Sequence, residues 1–376
     1  MNSPLYEVIY EKIKEDIITG KYQSGERIPS EKEIAETWGV SRITPKRSLE
    51  KLVTEGLIVR QAGKGSFVSE KVNKNFPSNN LFKKERPNVI GLIVPNIDDN
   101  YGMDILSSIE GEAANNNTFI IIKRSLGDFT KEKTVISELM EIGVSGLIIL
   151  PTHAEHFNEE ILKLVISDFP IVLVDRYLKG VPATSVSSDN HKAAKKATEY
   201  LFELGHQNIC LLSSHHVDTS TLEERREGFI EAHVENDINI DKSRLMNHIS
   251  STWTNSFKDK NIQKDVQKII NHLNKNPQLT ALFAVEYRIA LLAEFAVKRM
   301  DLRVPEDISI ICFDSSRESV ERKKFTYIQQ RQQQMGELAV KNVLKMQKGE
   351  KQERHTIKLD TDIVKGNSTK RFIKNG

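Results

Sequence analysis

The sequence predicts two folds in series: an α+β module at the N-terminal end and, beyond a linker, an α/β module built on parallel strands. Three observations predict them. A pair of capped helices is separated by a tight turn, a glycine hairpin follows directly, and from Asn88 onward short apolar runs alternate with amphipathic stretches. The first element is an amphipathic helix over residues 5–17. The second opens at Pro29-Ser30-Glu31-Lys32-Glu33, where Ser30 and Glu33 have the spacing of a capping box. Its apolar face is Ile34, Ala35 and Trp38, and Gly39 can take the left-handed conformation that closes a helix. One turn later Ser41 is placed to cap a third helix carrying Arg42, Thr44, Lys46 and Arg47 near its start. Ile43, Leu49, Leu52 and Val53 are expected to form its buried face, and Gly56 to end it. Residues 57–60 and 66–68 read as short strands around Ala62-Gly63-Lys64-Gly65, a hairpin wing. Helix, turn, basic helix and wing in this order make a winged helix-turn-helix, whose third helix has the shape that enters a major groove.

Charge agrees with that placement. Between Arg42 and Lys64 the basic residues are Arg42, Lys46, Arg47, Lys51, Arg60 and Lys64, opposed only by Glu50 and Glu55. The whole chain of 376 residues carries a net charge of only +2, so this positive surface is local and suits the phosphates of double-stranded DNA. With 28% charged and 38% hydrophobic residues the composition is that of a soluble protein with room for two or three domains. Cys210 and Cys312 each sit inside an apolar run, which predicts buried free thiols in a reducing cytoplasm rather than a disulfide. No signal-peptide core and no membrane-length apolar run is present, so a cytoplasmic protein without a membrane partner is expected.

Residues 70–87, rich in Lys and Asn and containing Pro77 and Pro87, read as a linker between a DNA-binding domain at 1–69 and a second domain at 88–376. Strands are expected at 89–94, 119–123, 146–150, 171–174, 209–212, 280–285 and 308–313, with helices at 107–115, 191–204 and 290–300 among those between them. Buried parallel strands with helical crossovers mean a doubly wound architecture, in which ligands bind beyond the carboxyl ends of the strands. Those ends are polar: Asn96 to Tyr101, Asp175-Arg176, Asp218-Thr219 leading to Glu224-Arg225, Trp253, and Asp314-Ser315. Carboxylates, an arginine and an aromatic face suit a neutral polyhydroxylated ligand. An enzyme is not expected, because phosphate loop, nucleophile elbow and paired-cysteine metal motif are all missing. No cofactor and no metal is expected, and His153 and His156 around Glu155 read as surface residues.

Residues 5–68 resemble the DNA-binding domain of the gluconate-repressor (GntR) type regulators. The resemblance rests on Gly25-Glu26-Arg27-Ile28-Pro29-Ser30-Glu31, Gly39-Val40-Ser41-Arg42-Ile43-Thr44, Glu55-Gly56-Leu57-Ile58 and Gly63-Lys64-Gly65-Ser66-Phe67-Val68. It implies operator contacts by Arg42, Thr44, Lys46 and Gly63, with Lys32 as a further position. The candidate DNA-facing set is Ser30, Lys32, Ser41, Arg42, Thr44, Lys46, Arg47, Gly63 and Lys64. Pro45 departs from the family pattern of a small or branched aliphatic residue. With Ser41 as N-cap, the proline would remove a helical hydrogen bond, so the helix either starts a residue later or is distorted.

Residues 88–370 resemble the effector domain of the lactose/galactose-repressor (LacI/GalR) type regulators, itself similar to periplasmic sugar-binding proteins of type I. The matching segments include Ile90-Gly91-Leu92-Ile93-Val94-Pro95, Pro170 to Arg176, Val186-Ser187-Ser188-Asp189-Asn190, Arg225-Arg226-Glu227-Gly228-Phe229 and Val304 to Ile310. The resemblance implies two α/β lobes with an effector cleft between them, held by residues matching Asp175, Arg225, Trp253 and Asp314. The full candidate set is Tyr101, Asp175, Arg176, Thr219, Arg225, Trp253, Glu286 and Asp314. Two departures stand out: Glu286-Tyr287 replaces the usual Asn-Asp, and Gln329-Gln330-Arg331 lacks the usual proline. Joined in one chain, the halves have the arrangement of the arabinose-responsive repressors of low-GC bacteria. The expectation is a homodimeric repressor of carbohydrate-utilisation genes released from operator DNA by a sugar; the alternative is a regulator answering a non-sugar ligand such as a nucleobase, or none.

Overall fold

A computed structural model of the chain describes residues 4–18, 20–61, 63–69, 87–96, 101–152, 158–214, 219–252, 257–316, 324–350 and 355–373. Two compact units part between Pro87 and Asn88. The first, the head, contains α1 (Leu5–Ile18), α2 (Glu31–Trp38), α3 (Ile43–Thr54) and the hairpin of β1 (Ile58–Gln61) and β2 (Gly65–Val68), paired antiparallel from Ile58↔Val68 to Gln61↔Gly65. Ile9, Ile13, Ile28, Ile34, Leu49, Leu52 and Leu57 meet in its core. The capping box forms: Ser30 Oγ accepts from Glu33 N at 3.3 Å while Ser30 N donates to Glu33 Oε2 at 2.6 Å. Gly39 closes α2 at φ 63°, a left-handed conformation that costs glycine nothing.

The third helix differs from its sequence reading in two respects. Ser41 does not cap it; Arg42 is the N-cap residue and the helix begins at Ile43. Pro45 is then the third helical residue, where the backbone N–H has no acceptor within the helix, so the missing donor breaks nothing. The buried face is Pro45, Ser48, Leu49 and Leu52. Ile43 and Val53 are exposed instead, because at about 100° per residue both fall away from that stripe. Trp38, at the end of a two-turn helix whose buried residues are Ile34 and Ala35, is 39% exposed as well.

The second unit, the body, consists of two lobes, each built on a six-stranded sheet. Its first lobe contains β3 (Asn88–Val94), α4 (Met103–Asn115), β4 (Thr118–Arg124), α5 (Phe129–Ile142), β5 (Gly146–Ile149), α6 (Glu159–Ile166), β6 (Ile171–Val174) and β7 (Thr184–Ser188). The second contains α7 (Asn190–Glu203), β8 (Ile209–Ser214), α8 (Ser220–Glu235), β9 (Leu245–Ile249), α9 (Asp259–Lys275), β10 (Ala281–Ala284), α10 (Tyr287–Arg299), β11 (Ser309–Phe313) and β12 (Thr326–Gln329). The chain then returns. α11 (Gln332–Gln347) packs on α4, β13 (Thr356–Leu359) pairs with β7, and β14 (Asp362–Val364) crosses back to pair antiparallel with β12. Sheet orders are β13-β7-β6-β5-β3-β4 and β14-β12-β11-β10-β8-β9, so the lobes repeat one strand order and differ at one edge, where β13 is parallel to its neighbour and β14 antiparallel.

Five of these strands escape the sequence reading: β7, β9, β12, β13 and β14. In β7 every residue is buried, yet only Val186 is apolar. Its hydroxyls are partly satisfied laterally, Ser185 by Thr356 at 3.0 Å and Ser188 by Gln330 at 2.8 Å. The chain crosses between lobes at 188–190, 330–332 and 359–362. These crossings are tied to each other: Ser188 Oγ donates to Gln330, Asp189 N donates to Leu359 O at 2.8 Å, and Arg331 pairs with Asp362 at 2.5 Å. Such a bundle of short parallel crossings is a hinge.

Candidate functional site

On the head, Arg42, Lys46 and Lys64 are exposed and have no ion-pair partner among the described residues. Other cations there are committed. Arg60 bonds Glu31 at 2.9 Å, joining the wing to α2, Lys32 lies 3.9 Å from Glu36, and the Arg47 guanidinium stands 5.6 Å from the Tyr6 ring. The wing is further fixed by Ile28 N to Ser66 O and Val68 N to Glu26 O, so Gly63 and Lys64 sit on a held hairpin. Ser30 spends its hydroxyl on the cap and Thr44 is half-buried, whereas Ser41 is exposed with its hydroxyl free of any cap.

In the body a cavity of about 210 Å³ opens between the lobes, beyond the carboxyl ends of both sheets. It is lined by Tyr101, Asp175 and Arg176 from the first lobe and by Thr219, Arg225, Glu286 and Asp314 from the second. Seven of the eight residues picked out from sequence thus meet in one place; Trp253 lies outside the described residues, next to the lining residue Thr252. Asp175 and Asp314 hold equivalent places, each following the third strand from the far edge of its sheet, at φ 70° and φ 62°. Each backbone N–H donates to the neighbouring strand, Asp175 to Val186 O at 2.9 Å and Asp314 to Ile328 O at 3.0 Å. A left-handed turn at a non-glycine residue is strained, and such strain collects where a side chain must be aimed.

The polar groups are held by one another. Tyr101 Oη donates to Asp175 Oδ1 at 2.5 Å, and Arg176 Nε donates to Asp175 Oδ2 at 3.2 Å. Arg225 is buried, stacked 3.5 Å over the Phe313 ring, with Nε donating to Asn190 at 2.9 Å and Nη1 to Val285 O at 2.6 Å. Its Nη2 has no partner among the described residues. Gln330 Nε2 donates to Asp314 Oδ2 at 2.8 Å. Burial pushes the Asp314 carboxyl up to about 7, against the pull of the Arg225 guanidinium and the Gln330 amide, and the Asp175 carboxylate adds to the rise. Burial likewise raises Glu286 above the usual carboxylate range, with Arg225, Arg176 and Arg288 opposing. Glu286 stands just before α10 but makes no cap bond through its side chain.

Three carboxylates and three guanidinium groups therefore line a cavity whose remaining walls include Pro95, Leu150, Leu222 and Tyr287. Donors and acceptors on several sides of the cavity suit a small ligand with several hydroxyls. The volume, below the about 300–1,000 Å³ of drug-sized sites, suits one small ring.

Comparison with known proteins agrees with both halves. Residues 5–68 match the bacterial regulatory proteins of the gntR family, and residues 198–369 match a periplasmic binding protein-like domain. The chain carries a GntR-family helix-turn-helix head joined to a periplasmic-binding-protein-like body. An arabinose metabolism transcriptional repressor from Halalkalibacterium halodurans is 26% identical over 353 residues, covering 93% of this chain and 91% of the relative. The transcriptional repressor PurR of Aliivibrio fischeri is 25% identical over 288 residues, 76% of this chain and 82% of its own. The solved transcription regulator CcpA of Lactococcus lactis shares the fold, with a TM-score of 0.65 at 23% identity over 76% of this chain and 100% of that one.

The cleft of the periplasmic-binding-protein-like body also has lining residues that the sequence did not single out, notably Thr221, Thr252, Arg288 and Gln330. Gln330 links Asp314 to Ser188 and so joins the cleft to a hinge crossing. Its place at the end of β12 could not be read while β12 itself went unread. Among the described residues of the GntR-type head and the body, no helix is long and apolar enough to cross a membrane.

Proposed function

We propose that the protein is a sequence-specific transcriptional repressor of carbohydrate-utilisation genes, released from its operator by a sugar or sugar-derived effector. The observation that carries this reading is the coexistence, on one chain, of a basic winged head and a polar cleft at a hinge, with similarity to an arabinose metabolism repressor over both. The head reads operator DNA through Arg42, Thr44 and Lys46 on α3, while Ser41, Arg47, Lys32, Lys64 and the Gly63 backbone contact the flanking phosphates. Ser30 contributes by fixing the start of α2. Two heads in a homodimer address an approximately palindromic site. Acting on chromosomal DNA, the protein works in the cytoplasm.

Effector hydroxyls pair with Asp175, Glu286 and Asp314 and with the open Nη2 edge of Arg225, while Tyr101, Arg176 and Thr219 shape the cavity. Trp253, outside the described residues, is kept as an effector contact on the strength of the family resemblance alone. A ligand that bridges the lobes favours one hinge state, and DNA the other.

Thermal melting against sugars, sugar phosphates and nucleobases tests the reading. A ligand at a hundred times its dissociation constant adds about 2.7 kcal/mol to the stability of the body. A neutral sugar is expected to produce such a shift, to lose it in Arg225→Lys, and to release operator DNA. A shift with nucleobases alone would replace the sugar by that class.

A further inference from the structure

Ile43, expected from sequence to be buried, is 71% exposed, more than any other large apolar side chain described in the head. It takes no part in the head core formed by Leu49, Leu52 and their neighbours. As the first residue of α3 it stands on the side opposite the buried Pro45, Ser48, Leu49 and Leu52, on one face with Lys46 and Arg47 at i+3 and i+4. Arg42, exposed and unpaired among the described residues, precedes it. An apolar, β-branched side chain therefore projects at the N-terminal tip of the basic helix, within its cluster of cations. Neither packing nor helix propensity accounts for isoleucine at such a position.

A recognition helix meets base edges with its N-terminal residues. An isoleucine side chain there has no donor or acceptor, and the apolar feature that a base pair shows in the major groove is the C5-methyl of thymine. We infer that Ile43 is a specificity-determining residue that reads thymine through this methyl group. The inference rests on the operator-binding function proposed above and adds a base preference to it. Arg42 and Lys46, on either side, pair with phosphates or guanine edges, and Ile43 contributes discrimination that does not depend on salt.

The test begins with selection of a binding site by the full-length protein from a random duplex library. Each thymine of the selected site is then replaced, one at a time, by deoxyuridine, which keeps every hydrogen-bonding group and removes only the methyl. Affinities are read by fluorescence anisotropy at fixed salt for the wild type and for Ile43→Ala, an exposed position whose truncation leaves the core intact. At one thymine per half-site the replacement should cost the wild type about fourfold, the worth of one small apolar group, and cost Ile43→Ala nothing. Equal sensitivity in both proteins, or no sensitive thymine in the wild type, would overturn the assignment while leaving operator binding standing. Failure to enrich any sequence at low or moderate salt would remove the operator reading and this inference with it.

Discussion

At Asp314 two neighbours pull in opposite directions, and burial decides the outcome: the carboxyl titrates at about 7, against 3.8 in an unfolded chain. Between those values the folded protein holds a proton that the unfolded chain has released, so this residue's contribution to stability falls as pH rises through the window. Above about 7 both states are ionised and the full cost remains. Denaturation of ligand-free wild type and Asp314→Asn at pH 6 and pH 8 should show the wild type losing stability relative to the variant at the higher pH, by at most about 1.4 kcal/mol per unit. An identical difference at both pH values would mean that Asp314 titrates like any surface carboxyl. The same proton matters to the effector, because a protonated Asp314 can donate a hydrogen bond and an ionised one only accepts. On the head, single residues separate two kinds of contact. Arg42→Ala should cost roughly 1–3 kcal/mol and relax preference at one base position, if its fork reaches a guanine edge. Lys64→Ala, on the wing and placed against phosphate, should weaken all sequences alike and lower the salt dependence by about one counterion. Binding isotherms over a salt series on selected and scrambled duplexes distinguish the two.

Among whole elements, α2 and α3 invite opposite expectations from similar-looking substitutions. Ser30→Ala removes a capping box whose two hydrogen bonds are both formed and should lower the stability of the head by about 1 kcal/mol, measured from its own unfolding transition. Pro45→Ala should not raise it. The proline occupies a first-turn position with no hydrogen bond to lose, and its ring restricts the unfolded chain, so alanine should cost roughly 0.4–1 kcal/mol. A stabilising Pro45→Ala would show that the first turn of α3 is distorted after all. These elements also show what sequence can carry. The capping box, the glycine at the end of α2 and the hairpin were legible because each is a local pattern with a local cause. Ile43, Trp38 and Val53 are exposed although apolar, because apolar identity alone does not fix burial: the facing side of each helix is set by tertiary packing. The apolar strands β3, β5, β6, β8, β10 and β11 announced themselves, and with them the positions of Asp175, Glu286 and Asp314 at their ends. β7 did not, since four of its five buried residues carry hydroxyls, two of which bond to partners far along the chain, Ser185 to the Thr356 hydroxyl and Ser188 to the Gln330 amide oxygen. The candidate cleft was accordingly clear where strands are apolar and hidden where the groups that bond its lining residues, such as Gln330 on Asp314, come from far along the chain.

Across the whole molecule, the proposed function requires effector and operator to act on one equilibrium, and the lobe contacts bear on what that equilibrium would involve. Glu224, buried on α8 of the second lobe, accepts from Tyr177 Oη at 3.0 Å and from Lys358 Nζ on β13 at 2.8 Å, both in the first lobe. Lys179 pairs with Glu223 at 2.6 Å beside them, and Tyr177 N donates to Ser220 Oγ at 3.1 Å. The second oxygen of Glu224 is buried without a partner among the described residues, a cost that a different lobe arrangement could relieve. A hinge state that gave this oxygen a partner would gain about 1–3 kcal/mol there, enough for a ligand in the cleft to shift the balance between states. If the effector weakens operator binding tenfold to a hundredfold, about 1.4–3 kcal/mol of coupling, the operator must weaken effector binding by the same factor. Titration calorimetry of the effector into free protein and into the protein saturated with operator measures that second factor directly. Equal factors are expected for one shared equilibrium. Glu224→Gln, which keeps the Tyr177 hydrogen bond but removes the charge facing Lys358, should shift both factors together. An effector affinity unchanged by operator would mean that the ligand does not act through DNA binding, whatever it does to the lobes.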